Sequence, residues 1–161
     1  MANQAEFTQH LSGIYEHSSW IPNKAWHHRP FTSIESLHIT MLKIVEDASQ
    51  AEKLKLLQAH PQLAGQEAKA GTLTNASSQE QTSAKLNALN SNEMNEITQL
   101  NKTYLATHHF PFIIAVKGHN KESIFDAFRR RVNNATQIEQ IEAISQVGLI
   151  ASFRLNALLT N

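Results

Sequence analysis

The sequence predicts an all-α fold, a single-domain helical bundle of about seven to nine helices with one extended apolar segment. Three observations carry that expectation. Apolar residues recur at helical spacing along most of the 161 residues. Hydroxyl residues stand three positions before Glu at several points where such runs begin, the spacing of a capping box. One stretch, "FPFIIAVKG" from Phe110 to Gly118, breaks the helical period by being continuously apolar and β-branched around Pro111. A chain of this length can bury one sizeable core and is short for two, and it has no internal repeat, low-complexity tract or dividing linker. One domain over residues 1–161 is expected.

Phe7, Leu11, Ile14 and Tyr15 define a first amphipathic helix, and Ile34, Leu37, Met41, Ile44, Val45 and Ala48 a second. Between them "SSWIPNKAWHHRPF", with two prolines, two tryptophans and no period, reads as a wrapped loop whose aromatics pack on the core. Thr32 to Glu35 and Ser49 to Glu52 have capping-box spacing and mark the starts of the second and third helices. The third, carrying Leu54 and Leu57, runs into His60-Pro61 and stops, because a proline disfavours helical backbone in the residue before it. Ser77 to Glu80 is a further capping-box candidate, leading a helix with Leu86 and Leu89 on one side. Met94, Ile97, Leu100, Tyr104 and Leu105 form a strongly periodic helix ending at His108-His109, where a cationic side chain suits the negative end of the dipole. After the buried extended segment, Ile124, Phe128 and Val132 define the next helix. Thr136 to Glu139 caps the last one, with a core stripe of Ile138, Ile141, Ile144, Val147, Ile150, Ala151 and Leu158.

Composition narrows the function classes. Lys plus Arg number 14 and Asp plus Glu number 14, so no global field recruits nucleic acid or an anionic membrane surface, and a small-molecule partner is expected. The absence of cysteine excludes disulfides, thiolate chemistry and Cys-ligated metals, and fits a reducing compartment. The opening "MANQAEFTQH" has no basic flank before an apolar run, no continuous apolar stretch is long enough to span a bilayer, and "LLTN" is not a peroxisomal address. A cytoplasmic protein with no membrane partner is expected.

Few side chains could carry chemistry. In "AHPQLAG" (59–65), Pro61 leaves His60 just past a helix end with its side chain clear of the helical ridge, a good place for a functional imidazole and also an ordinary place for a helix to stop. Nine histidines make any single one unremarkable. None is in His-Glu-x-x-His form, and the adjacent pairs His27-His28 and His108-His109 diverge, so no metal is expected. The glycine-rich phosphate loops and the Gly-x-Ser-x-Gly elbow are absent, which removes the usual nucleotide and acyl-transfer readings. Arg154 projects from the same stripe as Val147, Ala151 and Leu158. Arginine cannot shed its proton in a protein, so it must snorkel to water, pair with a buried carboxylate, or line a cavity that receives an anionic ligand. The Arg129-Arg130-Arg131 run reads as a solvated helix face with one member turned inward, and a phosphate or partner contact is the lesser alternative.

Taken together, "RPF" (29–31), "AHPQLAG" (59–65), "LTNASSQEQ" (73–81), "FPFIIAVKG" (110–118) and "IASFRL" (150–155) resemble the 2-oxo-4-hydroxy-4-carboxy-5-ureidoimidazoline (OHCU) decarboxylase family of urate breakdown, in that order and over nearly the whole chain. The resemblance implies a cofactor-free decarboxylation yielding (S)-allantoin. It puts the family's catalytic histidine on His60 and its partner carboxylate on Glu80. It also implies substrate binding by Pro61, Ser77, Gln81 and Arg154, by the backbone of Phe112, Ile113, Ile114, Ala115 and Val116, and a homodimer. Three neighbours of the motifs depart from the family pattern and bear on loop geometry: Ser19 where proline is frequent, Gln62 where aspartate or arginine is common, and Lys85 where glycine is frequent. Two other readings stay open at this point: a non-catalytic helical binding or scaffold module, in which His60 and Glu80 are helix punctuation, and a decarboxylase of a related ureido or imidazoline acid.

Overall fold

The computed structural model describes residues 3–160, and its regular structure there consists of nine α-helices and one short 3-10 turn, with no strand among the described residues. The all-α expectation holds. The described chain gathers into two compact units, one made of residues up to Ala59 together with those from Val147 onward, the other of His60–Gln146.

The first unit contains α1 (Gln4–His10), α2 (Trp20–Ala25), the 3-10 turn Trp26–His28, α3 (Ile34–Glu46), α4 (Gln50–Gln58) and the C-terminal part of α9 (Thr136–Thr160). α1 is shorter than the apolar spacing predicts: it stops at His10, and Leu11, Ile14 and Tyr15 are buried from the turns that follow. The segment expected to be a loop instead contains α2. Pro22 is compatible with that helix because it stands in the first turn, where backbone N–H groups have no intrahelical acceptor. It is Ile21, Pro22 and Ala25 that are buried there, whereas both tryptophans are only partly covered. α3 is capped by Ser33, whose hydroxyl accepts from the Ser36 N–H, and not by Thr32. The Ser49–Glu52 capping box is formed in both directions, at 3.0 and 3.1 Å. A Cβ on Gly148 would come within 2.9 Å of Leu42 Cδ2, the movable end of a flexible side chain.

The second unit contains α5 (Gln66–Ala70), α6 (Asn75–Ser83), α7 (Ser91–His108), α8 (Lys121–Arg131) and α9 up to Gln146. Between α7 and α8, residues 111–116 run without helix or turn, and Phe110 through Ala115 are buried, as the apolar run predicts. The buried stripe of α7 is Ile97, Asn101, Tyr104 and His108, at i, i+4, i+7 and i+11. Leu105 faces solvent. His108 does not serve as a cation at the helix end: it is buried, its Nδ1 is 2.7 Å from the Thr136 hydroxyl, and burial holds its pKa below the ordinary histidine value.

α9 carries the largest departure from the sequence expectation. Its isoleucines at 138 and 141 are 58% and 74% exposed, and Leu158 is exposed as well. Val147, Ile150 and Ala151 are buried as expected, and the other buried side chains are Glu139, Ala143, Arg154 and Leu155. Glu139 is fully buried and does not cap the helix. Its Oε1 accepts from Arg131 Nε at 2.9 Å and from the Tyr104 hydroxyl at 2.6 Å, and its Oε2 accepts from Asn134 Nδ2 at 2.9 Å. Burial, reinforced by that carboxylate, pushes the Tyr104 phenol well above its usual range and keeps it a donor. By length and composition alone α9 could cross a membrane. Its buried face, with an ion-paired Glu139 and an ion-paired Arg154, makes it a core helix here.

Two stability outcomes follow. His108 and His38 both have pKa values lowered by burial, so the folded protein refuses protons that the unfolded chain accepts. The unfolding free energy is expected to be level above the ordinary histidine pKa and to fall as pH drops from about 7 to 5. Denaturant titrations at the two ends measure this, with a smaller fall in His108→Gln; constant or rising stability toward the acid end contradicts it. Arg154 Nη1 donates to Glu16 Oε1 at 2.9 Å within the first unit, both side chains being buried. Arg154→Met takes the guanidinium from buried Glu16, leaving it an ion pair with the exposed His17 at 3.7 Å, and is expected to cost about 3 kcal/mol, most of it recovered by adding Glu16→Leu. Denaturation midpoints of the single and double variants test this.

Candidate active site

Helix α4 ends at Gln58 with Ala59 as its C-cap, and the chain then turns through His60, Pro61 and Gln62 into α5. His60 is 7% exposed, the degree of burial expected of an imidazole turned away from bulk solvent. The loop after it is held by side chains rather than by regular structure. Gln81 Oε1 accepts from the Ala64 N–H at 2.9 Å, and Gln81 Nε2 donates to the Gln62 carbonyl at 3.2 Å. Asn101 Nδ2 donates to the carbonyl of Leu63, between them, at 2.9 Å. Glu67 Oε2 accepts from the Gln62 N–H at 3.3 Å.

These bonds hold an unusual backbone. Ala64 has φ of 48°, in the left-handed region that costs a residue with a side chain about 1 kcal/mol or more. One position on, a Cβ on Gly65 would lie 2.4 Å from Gln62 Cβ, so only glycine fits. The "AHPQLAG" motif is thus a tight structure with a glycine that has no substitute.

Helix α6 supplies the other residues. Its N-cap is Thr74, whose hydroxyl accepts from the Ser77 N–H at 3.2 Å. The capping box expected at Ser77 and Glu80 is therefore not the helix start. Ser77, Glu80 and Gln81 lie in the helix body at i, i+3 and i+4, on one face. Ser77 and Gln81 are buried and Glu80 is half-buried. Punctuation does not explain Glu80. Downstream, the helix expected around Leu86 and Leu89 is absent: α6 ends at Ser83 and Lys85 adopts φ of 61°.

The extended segment is fixed at two points. Arg131 Nη1 donates to the Ile113 carbonyl at 2.7 Å, and Gln146 Oε1 accepts from the Ala115 N–H at 2.9 Å. The Arg131 guanidinium also lies 4.5 Å from the centre of the Phe112 ring, which stacks on Phe128 at 3.9 Å. This is the inward-turned member of the arginine run; Arg129 remains outside, paired with Glu96.

Of the residues singled out in the sequence, His60, Pro61, Ser77, Glu80, Gln81 and 112–116 all belong to the second unit, and the hydrogen bonds of Gln81 join α6 to the His60 loop. Arg154 belongs to the first unit, where Nη1 donates to Glu16 and to the Gly13 carbonyl. Of the three fates open to a core-facing arginine, pairing with a buried carboxylate is the one observed. Asn101, Glu139 and Gln146 were not anticipated as contributors. The signal for the first two is a polar residue at an inward position of a helix. No group of three His, Asp or Glu side chains placed to hold a metal exists among the described residues.

Comparison with known proteins places this architecture. The profile of a family described as OHCU decarboxylase matches residues 1–156. A 2-oxo-4-hydroxy-4-carboxy-5-ureidoimidazoline decarboxylase of Haloferax volcanii is 40% identical over 149 residues, covering 92% of this chain and 86% of that protein. A uric acid degradation bifunctional protein of Bacillus sp. (strain TB-90) is 41% identical over 151 residues, which are 94% of this chain; the chain thus spans only 29% of that longer protein. Among solved structures, an (S)-allantoin synthase superposes with a TM-score of 0.78 at 29% identity, over 97% of this chain and 50% of that one. An OHCU decarboxylase crystallised in the presence of (S)-allantoin shares the fold, with a TM-score of 0.74 at 19% identity, over 92% of this chain and 96% of that one. With a family match that runs almost end to end, the chain belongs to the OHCU decarboxylase family.

Proposed function

We propose that this chain catalyses the cofactor-independent decarboxylation of 2-oxo-4-hydroxy-4-carboxy-5-ureidoimidazoline to (S)-allantoin in urate breakdown, as a carboxy-lyase acting from a single domain that spans the chain. Family membership supports the reaction, and the continuous match over residues 1–156 supports the single domain. The observation that carries the reading is the bridge by which Gln81 fastens the His60 loop to the helix bearing Ser77 and Glu80.

The chemistry suits these residue types. Breaking the bond to the carboxylate releases CO₂ and leaves an electron pair on carbon, which the substrate's own conjugated ring accepts until a proton is delivered. The protein has only to orient the carboxylate and manage that proton. His60 contacts the hydroxyl or the departing carboxylate and supplies or relays the proton. Glu80 fixes the polar edge of the substrate, with Ser77 and Pro61 beside it. Gln81 keeps one N–H and one lone pair beyond those given to the loop, enough for a substrate contact as well as the bridge. Backbone groups of 112–116 take the ureido and ring amides. Arg154 offsets negative charge; that role rests on the resemblance, and its pairing with Glu16 makes it a weaker anion anchor than an isolated guanidinium.

We further propose a homodimer in the cytoplasm, with no nucleic acid or membrane partner. Exposed Ile138, Ile141 and Leu149 on α9 supply an apolar face suited to self-association. The absence of cysteine suits a reducing compartment.

Supplying freshly generated urate-oxidation product and following the loss of ultraviolet absorbance together with the optical activity of the product tests the reaction. Accelerated decay to (S)-allantoin is expected, and racemic allantoin at the spontaneous rate overturns the proposal. His60→Gln should lower kcat/KM by about 100-fold or more with the thermal midpoint unchanged. Retention of most of the rate removes His60 from its assigned role.

A further inference from the structure

Helix α7 sends one polar side chain into the His60 loop, and the proposed reaction gives it no task. Asn101 lies between Ile97 and Tyr104 on the buried stripe of that helix; both neighbours are fully buried and Asn101 is 5% exposed. Its Nδ2 donates to the Leu63 carbonyl at 2.9 Å. The other end of the amide, Oδ1, is buried and has no hydrogen-bond partner among the described residues. Asparagine is a poor helix former, and a buried acceptor left unsatisfied offsets much of what one donated bond contributes. Stability therefore does not account for an amide at this place.

The anchored groups of the loop differ in what holds them. The Gln62 N–H donates to Glu67, a half-buried carboxylate, at 3.3 Å. The Gln62 carbonyl and the Ala64 N–H are held by Gln81, which the proposed reaction also engages with substrate. The Leu63 carbonyl is held by a buried side chain to which no substrate contact is assigned. That side chain stands on a firm support: α7 begins with a two-way Asn90–Glu93 capping box, at 2.9 Å in both directions, and its Tyr104, one turn on from Asn101, is bonded to Glu139. Asn101 thus ties the loop to the core of the second unit through a bond separate from those of Gln81, three residues after His60.

We propose that Asn101 is a positioning residue for the decarboxylation, its bond to Leu63 holding the His60 imidazole in place while Gln81 engages the substrate. The inference rests on the proposed reaction and concerns turnover, because the binding groups assigned to α6 and to 112–116 are left untouched when the Asn101 amide is removed.

The test is steady-state decarboxylation by Asn101→Leu, expressed per mole of folded protein, beside (S)-allantoin affinity by calorimetry and the ¹³C-labelled imidazole signals of His60, identified by their loss in His60→Gln. A fall in kcat of about tenfold or more is expected, with KM and the allantoin Kd within about threefold of the parent and the His60 signals displaced. An unchanged kcat overturns the inference, as does a lowered kcat with the His60 signals at their parent positions, or a rise in KM and Kd as large as the fall in kcat. Should Asn101→Leu fail to fold, a titration of ¹⁵N-labelled parent with (S)-allantoin decides: the Gln81 side-chain amide should shift saturably while that of Asn101 stays in place, and an Asn101 amide that moves as far as that of Gln81 overturns the assignment. A parent protein that does not accelerate the reaction overturns the proposed function instead, and is seen before any variant is compared.

Discussion

The side-chain amide of Gln81 is bonded at both of its ends to one short loop, and the placement of His60 follows from that. Each hydrogen bond contributes about 1 kcal/mol net, so together with the Asn101 bond they offset the cost of the left-handed Ala64. A loop of six residues with this much fixed backbone has little freedom to move its first member. The imidazole consequently stands in a set relation to α6, whose half-buried Glu80 carboxylate and buried Ser77 hydroxyl lie on the same helix face as Gln81. Preorganisation of this kind suits the proposed reaction, in which the substrate supplies its own electron sink and the protein supplies geometry.

Buried arginine recurs in both units with different consequences. Arg154 and Glu16 cancel each other's charge and tie α9 to the turn after α1 through the Gly13 carbonyl. Arg131 and Glu139 also cancel, but Nη1 of that guanidinium goes to the extended segment, and Tyr104 and Asn134 complete the carboxylate's shell. In each case a charge that cannot be neutralised by proton loss is accommodated by a carboxylate on a neighbouring element, and Nη1 also donates to a backbone carbonyl.

Much of this was legible in the sequence where the determinant is local. The helical class, the extended apolar segment, the Ser49–Glu52 cap, the helix ending before His60-Pro61 and the inward turn of Arg154 all follow from spacing within a few residues. The errors share a cause: a local signal with a competitor. "LTNASSQEQ" offers four possible caps, and Thr74 serves because α6 begins one turn earlier than the Ser77–Glu80 spacing suggests. Glu139 has the capping position but is claimed by Arg131, eight residues upstream and on another helix. Ile138 and Ile141 of α9 look like core and are exposed, whereas Ile150 is buried as expected; toward the start of the helix the buried positions are Glu139 and Ala143, where a paired charge and a small residue face inward. Pro22 reads as a helix breaker and stands where a first turn tolerates it. Asn101 and Gln146 carry no motif at all; only three-dimensional proximity gives them a role.

The central claim is that the His60 loop and α6 form one binding surface for the substrate. A crystal structure of the protein soaked with (S)-allantoin tests it most directly. The account predicts the ligand within hydrogen-bond distance, about 3 Å, of both His60 and Glu80, with an amide of the ligand against the backbone of 112–116. Allantoin bound elsewhere, touching neither side chain, contradicts it.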